Sequence, residues 1–154
     1  MKNNLTEKDI KTINKWAEKY GIKELKINDE KNFNLKQLCI FNTNIKYITA
    51  AIFKITNLKS LFIYCNNLNR LPKEIGNLIK LKELYIYCEN LKSLPNEIEK
   101  LANLESIHIE CENLKQLPKE IGNLINLKEL YIHCENLKSL PNEIEKLTNL
   151  ESIH

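Results

Sequence analysis

Arginine is almost absent from this chain. Of its 23 basic residues only Arg70 is an arginine, and the rest are lysines. Nucleic-acid surfaces draw on clustered Arg and Lys, whereas here Lys and Glu interleave and the net charge is only +3, so no nucleic-acid partner is expected. Glycine is equally scarce: Gly21, Gly76 and Gly122 are the three, too few and too scattered for a phosphate-cradling loop. No apolar run approaches the roughly 18 residues of a membrane-spanning helix, so no membrane partner is expected. The first 20 residues carry Lys, Asp and Glu throughout and lack the apolar stretch of a signal peptide. A cytoplasmic location is therefore expected, unless an export signal was trimmed away. At 154 residues the chain is long enough for one domain with a continuous core.

What is present is a period. The four prolines, Pro72, Pro95, Pro118 and Pro141, each follow the last by 23 residues, and Cys65, Cys88, Cys111 and Cys134 keep the same step. A fixed period of this size means stacked structural repeats. The clearest copies start at Leu58, Leu81, Leu104 and Leu127, and residues 81–103 read LKELYIYCENLKSLPNEIEKLAN. Numbered from its first leucine, the unit is apolar at positions 1, 4, 6, 11, 14, 18 and 21, with Pro at 15. Residues 35–57 fit in step with Thr49 at the Pro position, and residues 150–154 begin a further copy. Units also alternate, PKEIGN with PNEIEK, which duplication of a two-repeat block explains.

Over residues 35–154 this pattern resembles the leucine-rich repeat family, specifically the bacterial type with LPxxI in a 23-residue unit. The resemblance implies an α/β solenoid: a right-handed horseshoe with a parallel concave sheet, and short α or 3-10 turns on the convex side. One departure stands out. The family usually has Asn at position 9, but here that position is Thr43, Asn66, Glu89, Glu112 and Glu135, and Asn occupies position 10 instead. A local shift at the strand end is expected, with Asn in left-handed backbone bonding to nearby main chain, and Cys at position 8 filling a small buried slot.

Apolar positions 4 and 6 have strand spacing and point into the core, so positions 3, 5 and 7 face the concave surface. Pro at 15 suits the first turn of a short helix. Residues 1–34 read as an N-terminal helical cap with a first irregular strand at 22–27, and residues 35–154 as repeats with the last one truncated. Thr6 serves as N-cap, Ile10, Ile13, Trp16, Ala17 and Tyr20 form one apolar stripe, and Gly21 stops the helix. The chain stops in mid-strand at His154, either because it is a fragment of a longer array or because it self-associates end to end through that uncapped edge.

Positions 5 and 7 hold Cys39 and Phe41, Phe62 and Tyr64, Tyr85 and Tyr87, His108 and Glu110, and Tyr131 and His133. Six of these ten are Phe or Tyr, while the other 144 residues hold five aromatics, so burial does not account for the enrichment. Exposed aromatic patches mark interaction sites. Aromatic residues also favour strands and pair across them, and duplication would spread them through the array. His108, Glu110 and His133 could supply two imidazoles and a carboxylate to zinc, but a shallow sheet projects side chains in parallel, and an exposed Glu–His pair is the simpler expectation. Adjacent His133 and Cys134 point to opposite faces and form no dyad, and the cysteine spacing reflects repetition rather than a disulfide framework. The expected function is a non-enzymatic module without cofactor that binds a protein or peptide through the concave aromatic face. The rival readings are a structural or recognition arm of a larger protein, and a metal site at His108, Glu110 and His133.

Overall fold

The repeat step sets the register of the sheet. In the computed structural model, which describes residues 5–25, 27 and 35–154, one helix precedes six strands. These are α1 (Glu7–Tyr20), β1 (Gln37–Phe41), β2 (Ser60–Tyr64), β3 (Glu83–Tyr87), β4 (Ser106–Glu110), β5 (Glu129–His133) and β6 (Ser152–Ile153). The strands pair in parallel in the order β1-β2-β3-β4-β5-β6. Each partner lies 23 residues on, so Leu38, Leu61, Leu84, Ile107, Leu130 and Ile153 form one row. Like residues therefore stack on like. From Leu38 to Leu130, the position 4 side chains are buried, and those of position 6 are buried from Ile40 to Ile109. Each such aliphatic side chain contributes about 1.5–3 kcal/mol by leaving water.

The convex side is made of 3-10 turns, at Ala50–Lys54, Lys73–Asn77, Asn96–Lys100, Lys119–Asn123 and Asn142–Lys146. Proline lies one residue earlier than expected. It is the extended N-cap of each turn, with φ between −61° and −71°, and its carbonyl accepts the N–H three residues on. Thr49 takes the same conformation in the first repeat. The fixed ring torsion thus sets the approach to the turn rather than its first residue.

Position 10 differs from expectation. Among the described residues no non-glycine has a positive φ, so the asparagines are not left-handed. Their side chains reach across the stack instead. Asn67, Asn90, Asn113 and Asn136 donate from Nδ2 to the position 9 carbonyls of Thr43, Asn66, Glu89 and Glu112, at 2.7–3.0 Å. A second ladder at position 23 joins Asn103, Asn126 and Asn149 to the carbonyls of Ile79, Ala102 and Ile125. The carbonyls of Asn66, Glu89 and Glu112 also accept from the backbone amides of Asn90, Asn113 and Asn136, so the first ladder adds a second bond there, while the second ladder supplies the position 22 carbonyls.

The two alternating unit types also have a packing role. At position 19, a Cβ on Gly76 would stand 2.7 Å from the Glu97 carbonyl oxygen, and one on Gly122 would stand 2.2 Å from that of Glu143. The other units carry Phe53, Glu99 and Glu145 there, and Glu99 accepts from Asn123 Nδ2 of the next turn at 2.8 Å.

Helix α1 starts with a capping box, in which the Asp9 amide donates to Thr6 Oγ1 and the Thr6 amide donates to the Asp9 carboxylate. It ends at Gly21 with φ of 70°. Ile13, Trp16 and Ala17 are buried in the same core as the repeats, Ile10 and Tyr20 pack at its margin, and Trp16 Nε1 donates to the Tyr47 carbonyl at 3.0 Å. Lys54 Nζ meets both Asp9 oxygens at 2.8 and 2.9 Å, tying the helix to the first convex turn. The described residues of 22–27 do not extend the sheet as expected. Lys23–Leu25 form a 3-10 turn, Leu25 and Ile27 are buried, and Lys26 lies outside the described residues. No helix of the described residues is long and apolar enough to cross a membrane.

Two outcomes follow from this packing. Gly122→Ala should lower stability by roughly 1–3 kcal/mol in urea unfolding, because the new methyl meets backbone, while Glu99→Ala at the equivalent position stays near neutral. The Lys54 ammonium and the Thr6 amide hold the Asp9 carboxyl down at about 2, against its ordinary 3.8. A carboxylate depressed in the folded state stabilises above its unfolded pKa, and that contribution fades as pH falls from about 4 to about 2. With Lys54 half exposed, about 1 kcal/mol is the expected size. Asp9→Asn should therefore unfold more easily than wild type at neutral pH, with the gap closing at the acid end of a melting series.

Candidate functional site

Because the strands are in register, positions 5 and 7 form two straight columns on the concave face. The position 5 column runs Cys39, Phe62, Tyr85, His108 and Tyr131, and His154 extends it. Its rings stack from strand to strand, at centroid distances of 4.7 Å for Phe62–Tyr85, 4.5 Å for Tyr85–His108, 5.2 Å for His108–Tyr131 and 6.4 Å for Tyr131–His154. The position 7 column runs Phe41, Tyr64, Tyr87, Glu110 and His133, with ring distances of 6.0 Å for Phe41–Tyr64 and 6.2 Å for Tyr64–Tyr87. Such pairs contribute about 0.5–1.5 kcal/mol each beyond their buried area, so some of the aromatic content serves the sheet itself.

The columns differ in exposure. Phe62, Tyr85, His108 and Tyr131 are half-buried in their stack, whereas Phe41 is 70% and Tyr87 43% exposed. In the position 7 column Tyr64 lies half-buried between these two exposed rings. On the strand-start side, Ser60 Oγ donates to Glu83 at 2.8 Å and Ser106 Oγ to Glu129 at 3.0 Å. Lys82 holds the Glu105 carboxyl below the usual carboxylate range, with Lys128 adding at 3.6 Å.

His108, Glu110 and His133 are not brought together. The His108 ring stacks between Tyr85 and Tyr131 in one column, while Glu110 and His133 are register partners in the other. Among the described residues no three His, Cys, Asp or Glu groups are placed to hold a metal ion. Cys134 turns its thiol toward the Ile109 carbonyl at 3.8 Å, away from the His133 face. Cys65, Cys88 and Cys111 do the same toward Ile40, Ile63 and Ile86, at 3.7–4.0 Å. Burial pushes the Cys65 thiol up to about 11 and that of Cys111 to about 12, and it also raises Cys88. All five cysteines are free.

The sequence reading missed one feature. Tyr87, Glu89, Glu110, Cys111, Glu112, His133 and Glu135 line a hollow of about 150 Å³ beside the position 7 column. The signal was present in the glutamates at position 9, which sequence reasoning treated only as turn residues.

The family profile described as a leucine-rich repeat region matches residues 73–154. No curated protein matches the chain. Among solved structures, a leucine-rich repeat protein of Leptospira interrogans aligns with a TM-score of 0.59 and 31% identity, over 80% of this chain and 38% of its own. The plant peptide hormone receptor RGFR1, in complex with RGF2, aligns with a TM-score of 0.55 and 30% identity, over 70% of this chain and 18% of the receptor. This chain therefore spans well under half the length of either protein.

Thiol accessibility checks the placement of the columns. Ellman's reagent should modify Cys39 and Cys134, both partly exposed, in the native protein, and should reach Cys65, Cys88 and Cys111 only when urea unfolds the stack.

Proposed function

This chain belongs to the leucine-rich repeat family, and we propose that it is a non-enzymatic module that recognises a protein or peptide through its concave aromatic strip. The observation that carries this reading is the division between the columns. Phe62, Tyr85, His108 and Tyr131 lie half-buried in one column, while Phe41 and Tyr87 in the other stand open to solvent on either side of Tyr64. Rings fixed before contact lose little conformational entropy on binding, and Tyr offers both area and a hydroxyl. The plant receptor aligned above is a relative in complex with RGF2. His133 and Glu110 extend the row, and in this reading Cys39 and His154 mark the ends of its neighbour. No catalytic residue or cofactor is invoked.

A second reading makes the same face the recognition arm of a larger protein. It draws support from the share of the Leptospira protein and of the plant receptor that the chain spans, 38% and 18%. In the last repeat, moreover, core positions stand open, with Leu140 38% exposed where Leu117 is 5%. Further repeats would cover them, as would a second copy meeting the chain end to end.

The test is affinity capture with Tyr85→Ala/Tyr87→Ala beside wild type. The double variant should lose its partner while still unfolding cooperatively, with stability lowered by about 1–2 kcal/mol from the lost ring pairs. Undiminished capture would overturn the reading.

A further inference from the structure

The concave strip changes character from one end to the other. In the position 7 column, Phe41, Tyr64 and Tyr87 give way to Glu110 and His133 at β4 and β5. Beside this change, Glu89, Glu112 and Glu135 join Glu110 and the Tyr87 ring around the 150 Å³ hollow. Among the described residues the salt bridges are Lys54–Asp9, Lys82–Glu105 and Lys128–Glu105, so none of these four carboxylates is in one. Lys92, Lys115 and Lys138 follow in the same loops without pairing to them. Three of the glutamates share one repeat position and so come up one strand spacing apart, where like charges repel. The stack thus carries four carboxylates outside any salt bridge, with His133 beside them, at one end of an aromatic surface.

Resting on the reading above that this face binds, we propose that its partner is an extended basic–apolar peptide segment, with an apolar residue over Tyr64 and an arginine in the Glu110 hollow. The rings make the surface, and the charge selects what lies on it. A guanidinium can lie flat on the exposed Tyr87 ring while its N–H groups donate to carboxylates around the hollow, and it sheds water more readily than an ammonium. The spacing is fixed by the sheet. Tyr64 on β2 and Glu110 on β4 are two strands apart, about 10 Å, which an extended chain crosses in about three residues. The segment runs across the strands, so the apolar anchor and the arginine stand about three positions apart.

The experiment is selection of a random-peptide display library on the intact chain, followed by synthesis of the most enriched peptide. Enriched peptides should be net positive, with arginine about three residues from an aromatic or aliphatic residue. The synthetic peptide should bind about tenfold more weakly to Glu110→Gln/Glu112→Gln, and more weakly as salt rises from about 0.05 to about 0.5 M. It should lose binding to Tyr85→Ala/Tyr87→Ala. Neutral or acidic peptides that still depend on the two tyrosines would overturn the charge assignment and leave the concave reading standing. Peptides indifferent to both double variants, or no enrichment over bare support, would overturn both. Melting curves of each variant separate lost binding from lost fold.

Discussion

Every feature of this molecule depends on the in-register parallel ladder. With partners 23 residues apart along the chain, each strand residue meets its own counterpart from the neighbouring repeat. This constraint rewards side chains that pack well against themselves. Leucine and isoleucine do so in the core, and asparagine does so where its amide can donate to the previous loop. Aromatic rings do so on the face, where stacking turns a solvent-facing position into a half-buried one. Charges do so poorly, and they are accordingly found at the margins of the sheet.

The same constraint decides how much the sequence reveals. Period, strand positions and core positions are properties of a single repeat, so they can be read from any one copy. The start of α1 at Thr6 and its stop at Gly21 are likewise local chemistry and were legible. Contacts between copies were not. The bonds of the position 10 asparagines span 24 residues, and their local cue, turn propensity, suggested left-handed backbone that the structure lacks. Position 9 illustrates the same limit. A glutamate in one turn looks like an exposed loop residue, and three of them become a negative wall only when the repeats are stacked. Residues 22–27 misled for a different reason: Ile22, Leu25 and Ile27 keep the 1, 4, 6 spacing of a repeat strand, yet Lys23–Leu25 form a 3-10 turn, with Leu25 and Ile27 buried in the core.

The aromatic columns show why scaffold and recognition are hard to separate in such a fold. Tyr85 touches Phe62 on one side and His108 on the other, so it belongs to the sheet's stability as much as to its surface. Phe41 and Tyr87 keep more of their surface in solvent, and their exposure is what the sheet alone does not require. Function, where these columns carry it, is concentrated in residues the fold could most easily spare.

The glycines at position 19 reach further than the turns that contain them. On the convex side, Gly76 and Gly122 let adjoining backbones come closer than any side chain would permit, while at the intervening interface the Glu99 carboxylate accepts from Asn123 Nδ2 at 2.8 Å. The joints between repeats are therefore of two kinds, which alternate along the stack. On its convex side the chain thus repeats every 46 residues rather than every 23, and a change that suits one joint will not suit the next.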